Sequence, residues 1–187
     1  MSRIDARLDA AVDSLRHPVA DRVFYSASEL CNFSVLWLLL GAARGLRPSP
    51  RDERAAFRLG AAMAVESALV NGLIKSLFRR KRPAWEVVRT RRVRQPRTSS
   101  FPSGHASAAF CAAILLAEDD PLWPLYYALA VIVATSRVYV KIHHASDVLA
   151  GIPIGVALGV LGRKLVPLDG KREDATGGSK RPTEGER

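Results

Sequence analysis

Long stretches with few charged residues alternate along this chain with short stretches crowded with charge. The charged residues gather at 44–58, at 79–97 and after residue 163. A helix needs about 20 mainly apolar residues to cross the hydrocarbon core of a bilayer, so this alternation is typical of a small multi-spanning membrane protein. It predicts an all-α, membrane-embedded helical bundle of about five transmembrane helices, at 20–43, 55–78, 103–117, 122–140 and 146–165.

Two of the five predicted helices are weak as membrane spans. The first carries Asp21, Arg22 and Glu29 near its beginning, and the third, at 103–117, is short. Each could therefore lie half within the bilayer or pack inside the bundle.

The two ends of the chain differ from this central bundle. Residues 4–16 carry apolar side chains on one side at helical spacing, which predicts an amphipathic helix on the bilayer surface. These side chains belong to Ile4, Leu8, Ala11 and Leu15. The last residues are rich in glycine, proline and charge, so we expect them to be disordered. We therefore divide the chain into an amphipathic helix at 1–19, a helical bundle at 20–166 and a charged tail at 167–187.

The formal net charge of +10 indicates an anionic partner. A nucleic-acid-binding domain would spread its basic residues over one face of a soluble fold, whereas here they lie at the ends of apolar segments. The arrangement favours anionic lipid head groups and phosphorylated substrates as partners. We expect no binding of nucleic acid.

Polar residues at the ends of two apolar segments suggest a binding site. Asn71 and Lys75 lie four residues apart, on one face of a predicted helix. Taken alone, Lys75 resembles a lysine that snorkels to the membrane interface. Ser103 directly precedes another apolar run and is typical of a helix N-cap, where free N–H groups and the helix dipole attract an anion. The segment around Ser103 could therefore hold a phosphate.

His143 and Asp147 lie four residues apart, so on a helix they share a face. The carboxylate can then accept the Nδ1–H of the imidazole and leave Nε2 neutral and basic. Such an imidazole can be a metal ligand, a general base or a nucleophile. A metal site needs further ligands, and only His105, His144 and a few carboxylates are on offer, with no His or Cys pair at a chelating spacing. A serine hydrolase based on Ser103 lacks the strand-to-helix elbow of that class.

The surplus of cations decides among these alternatives. Lys75, Arg82 and Arg137 are placed to surround the turn at Ser103 and Gly104 with donors for a multiply charged oxyanion. An acyl group does not need so many positive charges, but a phosphoryl group does. The pattern therefore predicts phosphoryl transfer to water.

The predicted reaction proceeds through a phosphohistidine. His143 attacks phosphorus, Asp147 stabilises the resulting imidazolium, and His105 protonates the departing oxygen. Water then attacks the phosphohistidine with His105 as the base. We expect neither a metal nor a cofactor, because lysine and arginine neutralise the phosphate charge.

Three motifs together resemble the signature of the type-2 phosphatidic acid phosphatase superfamily. They are Lys75-x6-Arg82-Pro83, Pro102-Ser103-Gly104-His105 and Ser136-Arg137-x5-His143-x3-Asp147. The resemblance implies an all-helical bundle in which His143 is the nucleophile, Asp147 its partner and His105 the acid and base. It also implies that the phosphate is bound by Lys75, Arg82, Ser103, Gly104 and Arg137.

A site at the bilayer surface suits an amphiphile whose phosphate lies at head-group height, so we expect a lipid phosphate or diphosphate as the substrate. Family members of similar length act on prenyl-type carriers, so undecaprenyl or decaprenyl diphosphate and decaprenylphosphoryl-5-phosphoribose are favoured. Phosphatidic acid, phosphatidylglycerol phosphate, a vanadate-dependent haloperoxidase and a non-enzymatic lipid-phosphate binding or transport protein stay open as alternatives. Integral members commonly carry the signature on the outer side of the membrane, so we expect a multi-pass plasma-membrane protein with an outward-facing site.

Overall fold

The computed structural model describes residues 3–83, 96 and 98–169 of the chain. All regular structure in these residues is helical, which confirms the all-α class. The helices are α1 Arg3–Asp13, α2 Pro18–Leu30, α3 Val35–Gly45, α4 Pro50–Leu77, α5 Gly104–Leu116, α6 Trp123–Tyr139 and α7 Ala145–Leu165. Most of the predicted tail, from residue 170 onwards, lies outside the described residues.

The helices differ in their ability to cross a bilayer. Within the described ranges, α4 and α7 are long and apolar enough to do so, and α2 with α3 would add a third span if the pair is taken together. Helices α5 and α6 have 13 and 17 residues and are shorter than the roughly 20 residues of a full span. The bundle is thus membrane-embedded as predicted, but the count of five spanning helices is not confirmed.

The single helix predicted at 20–43 is wrong, because the chain breaks in its middle. A 3-10 turn at Asn32–Ser34 separates α2 from α3, and the two helices meet at 74°. Ser34 has a left-handed backbone with φ of 60°. The side chains of asparagine and serine form hydrogen bonds with the backbone that compete with those of the helix, so a helix readily ends at this segment.

Helix α5 lies at the centre of the bundle, with α4, α6 and α7 packed around it. Nearly all its residues are buried, since its side chains are small and apolar on every side. Three arginines donate to carbonyl groups of its last turn, which have no partner inside the helix. The pairs are Arg44 with Leu116, Arg58 with Leu115 and Arg163 with Ile114. The third predicted helix therefore packs inside the bundle.

Helix α7 packs against α5 through glycines spaced four residues apart. A Cβ at Gly151 would lie 2.5 Å from the carbonyl oxygen of Ser103, and a Cβ at Gly155 would overlap the backbone of Ser107. Small residues at this spacing allow two helix backbones to approach closely. The contact fixes the beginning of α5 beside the beginning of α7.

Helix α1 faces the bundle with its acidic side. Asp5 and Asp9 are buried, and Lys141 of the loop between α6 and α7 lies 3.8 Å from Asp9 and 2.8 Å from Asp13. Ile4, on the apolar side of the helix, is exposed. Leu8, on the same side, lines an apolar pocket with residues of α6 and α7, so contact of this side with the bilayer surface stays a prediction.

The glycine contact between α5 and α7 can be tested by a single methyl group. We expect Gly155→Ala to lower the free energy of unfolding by about 1–3 kcal/mol, because the added Cβ forces the two backbones apart. The matched control is Gly72→Ala, where nothing lies within 4 Å of the added Cβ. Thermal unfolding of both variants in the same detergent measures the difference, and an unchanged midpoint for Gly155→Ala contradicts the packing.

Candidate active site

A cavity of about 1100 Å³ lies between the broken pair α2 and α3, helix α4 and the beginning of α5. Five of the residues predicted to bind or transfer phosphate line it, namely Lys75, Arg82, His105, Arg137 and His143. The other three, Ser103, Gly104 and Asp147, adjoin these five. The structure therefore brings all eight predicted residues together from three separate parts of the chain.

His143 lies in the tight loop between α6 and α7. Its backbone N–H and that of Ile142 both donate to the carbonyl oxygen of Arg137, at 3.0 and 3.1 Å. Asp147, in the first turn of α7, accepts the backbone N–H of His144 at 2.9 Å through Oδ2. The same oxygen lies 3.6 Å from Nδ1 of His143, a close polar contact that is longer than a normal hydrogen bond. The predicted pair of imidazole and carboxylate is thus present.

The surroundings of His143 favour the neutral form of its imidazole. Only 2% of the residue is exposed, and burial lowers the pKa of the ring because the charged form loses its hydration. Asp147 raises the pKa but does not outweigh burial, and the cations Arg137 and Arg82 lower the pKa further. Nη1 of Arg82 lies 3.3 Å from Nε2 of His143. A neutral ring with its Nε2 at the cavity is the form that can attack an electrophile.

The turn before α5 contacts both the first turn of α7 and the end of α4. The backbone N–H of Ser103 donates to the carbonyl oxygen of Asp147 at 3.0 Å, and Oγ of Ser103 caps the first turn of α5. A Cβ at Gly104 would lie 2.5 Å from Oδ1 of Asn71. Nε2 of His105 is buried and has no hydrogen-bond partner among the described residues. This nitrogen is therefore available to exchange a proton with a bound ligand.

Three cations surround the same space and make it attractive to a multiply charged anion. Their hydrogen-bond partners include Asn71 for Lys75, Thr98, Ser99 and Ile142 for Arg82, and Ser28 for Arg137. Nε of Arg137 is buried and has no partner in the described part of the chain. In the same ranges, no group of three or more His, Cys, Asp or Glu side chains could hold a metal ion.

Two residues that the sequence analysis did not single out lie behind Asp147. Arg80 donates to Oδ1 of Asp147 at 2.6 Å, and Asp5 of α1 accepts from Arg80 at 2.8 Å. Arg80 stands within a basic run and Asp5 on a polar helix face, so neither carries a pattern that indicates a site. Only the folded chain shows that they meet.

Comparison with known proteins gives matches over most of the chain. A model of the PAP2 superfamily matches residues 55–170. The decaprenylphosphoryl-5-phosphoribose phosphatase of Mycobacterium tuberculosis (strain ATCC 25618 / H37Rv) is 36% identical over 125 residues, which are 67% of this chain and 68% of that protein. The putative undecaprenyl-diphosphatase YbjG of Escherichia coli (strain K12) is 32% identical over 58% of this chain and 55% of that protein.

Two solved structures have the same fold. The crystal structure of Aquifex aeolicus LpxE covers 87% of this chain and 96% of its own, with a TM-score of 0.72 and 27% identity. The transmembrane PAP2 type phosphatidylglycerolphosphate phosphatase of Bacillus subtilis covers 87% of this chain and 84% of its own, with a TM-score of 0.64 and 22% identity. The second likeness supports the fold alone.

The charges around His143 predict that two substitutions shift its pKa in opposite directions. We expect its imidazole to titrate well below the ordinary pKa of 6.5. Arg82→Gln should raise this pKa because it removes a cation, and Asp147→Asn should lower it because it removes an anion. NMR titration of protein labelled with ¹⁵N-histidine measures both shifts, and loss of the signal in His143→Gln assigns it. An ordinary pKa, or two shifts of the same sign, contradicts the prediction.

Proposed function

Since the chain belongs to the PAP2 superfamily and is a membrane lipid phosphatase, we propose that it hydrolyses a prenyl-type lipid phosphate through a phosphohistidine intermediate. The observation that carries the mechanism is the buried imidazole of His143, whose Nδ1 lies 3.6 Å from a carboxylate oxygen of Asp147 and whose Nε2 lies 3.3 Å from Arg82 at the cation-lined cavity. The favoured substrates are undecaprenyl or decaprenyl diphosphate and decaprenylphosphoryl-5-phosphoribose.

In the first step, Nε2 of His143 attacks phosphorus, and the bond between phosphorus and the leaving oxygen breaks. The ring becomes positively charged, and Asp147 stabilises this charge from 3.6 Å at Nδ1. His105 acts as the general acid and gives a proton to the leaving oxygen. The products of this step are the dephosphorylated lipid and a phosphohistidine.

In the second step, water attacks phosphorus and the bond to Nε2 of His143 breaks. His105 accepts a proton from this water, so one residue serves as acid and then as base. The phosphate oxygens are held throughout by side chains and by the N-terminus of α5. The residues that bind them are Lys75, Arg82, Ser103, Gly104 and Arg137.

The size and lining of the cavity support a lipid substrate. The volume of about 1100 Å³ is larger than an inorganic phosphate requires. Beside the cations, apolar side chains of α3 and α4 form part of the wall, among them Trp37, Leu38 and Met63. The relatives whose names specify prenyl substrates favour an isoprenoid chain at this wall.

We also propose a position for the enzyme in the cell. The signature motifs are expected at the outer face of the plasma membrane, as the family resemblance implies. There the phosphate of a prenyl carrier lies at head-group height, next to the basic residues that flank the cavity.

Phosphate release from a panel of lipids tests the proposal. Detergent-purified protein in EDTA is given a prenyl diphosphate, a prenylphosphoryl pentose phosphate, phosphatidic acid and phosphatidylglycerol phosphate. We expect the fastest release from a prenyl substrate. His143→Ala should lower kcat by at least about a thousandfold, since it removes the nucleophile.

The matched control is His17→Ala, a histidine change outside the cavity, which should retain the wild-type rate. If phosphatidic acid or phosphatidylglycerol phosphate is hydrolysed fastest, the proposed prenyl substrate is wrong but the proposed mechanism stands. Equal release from His143→Ala would exclude the phosphohistidine. Folded wild-type protein that releases nothing would indicate a binding or transport protein.

A further inference from the structure

A chain of charged side chains runs from the candidate nucleophile to the N-terminal helix. Arg80 lies in the segment after α4 and contacts two carboxylates at once. Its Nη1 donates to Oδ1 of Asp147 at 2.6 Å, and its Nη2 donates to Oδ2 of Asp5 at 2.8 Å. Nη1 also donates to Oγ of Ser146 at 2.7 Å. The guanidinium therefore bridges α1 and the first turn of α7.

Asp5 binds this first turn directly as well. Its Oδ1 accepts the backbone N–H of Ser146 at 2.9 Å. Asp5 is fully buried although it lies near the beginning of the chain on a surface helix. Burial of a carboxylate is costly unless it is paired and hydrogen-bonded, and both conditions are met here.

The two oxygens of Asp147 have separate partners because of this arrangement. Oδ2 faces Nδ1 of His143 and accepts the backbone N–H of His144, whereas Oδ1 is bound by Arg80. Contacts at both oxygens prevent the carboxylate from rotating about its terminal bond. Arg80 alone would also compete with the imidazolium for the charge of Asp147, and the second carboxylate, Asp5, offsets this competition.

We propose that Arg80 and Asp5 are positioning residues for the phosphatase reaction, and that α1 is thereby part of the active site. They hold the carboxylate of Asp147 so that its Oδ2 meets His143 in the geometry that stabilises the phosphohistidine. This inference rests on the proposed function. It assigns to the N-terminal helix a part in the chemical step beyond packing on the bundle.

The kinetic test uses two variants and a matched control. Arg80→Ala removes the bridge. Asp5→Asn keeps an acceptor for Ser146 but removes the negative charge and the oxygen that accepts from Arg80. Each should lower kcat about tenfold to a hundredfold with KM changed by less than about threefold, the size usual for residues that orient a catalytic group. Asp13→Asn makes the same change on the same helix at the ion pair with Lys141, and should keep kcat within about twofold.

Two further measurements separate positioning from packing. If Asp5 acts through Arg80, Asp5→Asn should change kcat by less than about twofold in the Arg80→Ala background. Guanidinium ion should restore a large part of the activity of Arg80→Ala, whereas sodium chloride at the same ionic strength should not. Thermal midpoints of all variants are measured in parallel.

A measurement without turnover keeps this inference distinct from the proposed function. In wild-type protein, ¹⁵N-histidine spectra should show a single tautomer of His143 with the proton on Nδ1, and in Arg80→Ala and Asp5→Asn a mixture. This outcome supports positioning even if the wild-type protein releases no phosphate, which would overturn the proposed function alone. An unchanged kcat and an unchanged tautomer in Arg80→Ala overturn the inference. It is also overturned if Asp5→Asn lowers kcat by the same factor in the Arg80→Ala background as in the wild-type protein.

Discussion

The burial of α5 among the other helices is the contact on which the remaining structure depends. Its small side chains allow α7 to approach at backbone distance, so the first turns of both helices lie side by side. One first turn carries the cap Ser103 and the other carries Asp147, and a backbone hydrogen bond joins the two residues. The candidate active site is therefore built on the best-packed part of the molecule.

The same helix also organises the charges of the protein. Its first turn supplies free N–H groups and the positive end of the helix dipole, which favour the binding of an anion. The carbonyl groups of its last turn accept hydrogen bonds from arginines at the opposite end of the bundle. Positive side chains are thus needed at both ends of α5, for a ligand at one end and for orphan carbonyl groups at the other.

The sequence was sufficient to predict those features that depend on local patterns. The bounds of α5, α6 and α7 agree with the predicted helices to within one residue at each end, because a cap or a turn borders each apolar run. The break between α2 and α3 was missed, since the apolar pattern continues on both sides of Asn32–Ser34. Asp5 and Arg80 were missed because their contact joins residues 75 positions apart, and nothing in either local segment indicates the other.

The bend of 74° between α2 and α3 lies at the wall of the cavity. The joint of the two helices, at Cys31, Asn32 and Ser34, forms part of the cavity wall. In a straight span the side chains would form a continuous row along this side, whereas at the bend the backbone changes direction beside the cavity. A lipid substrate reaches a membrane-embedded enzyme by lateral diffusion within its leaflet. Turnover then depends on the mole fraction of substrate in the membrane, and dilution with inert lipid slows the enzyme even when the total amount of substrate is constant.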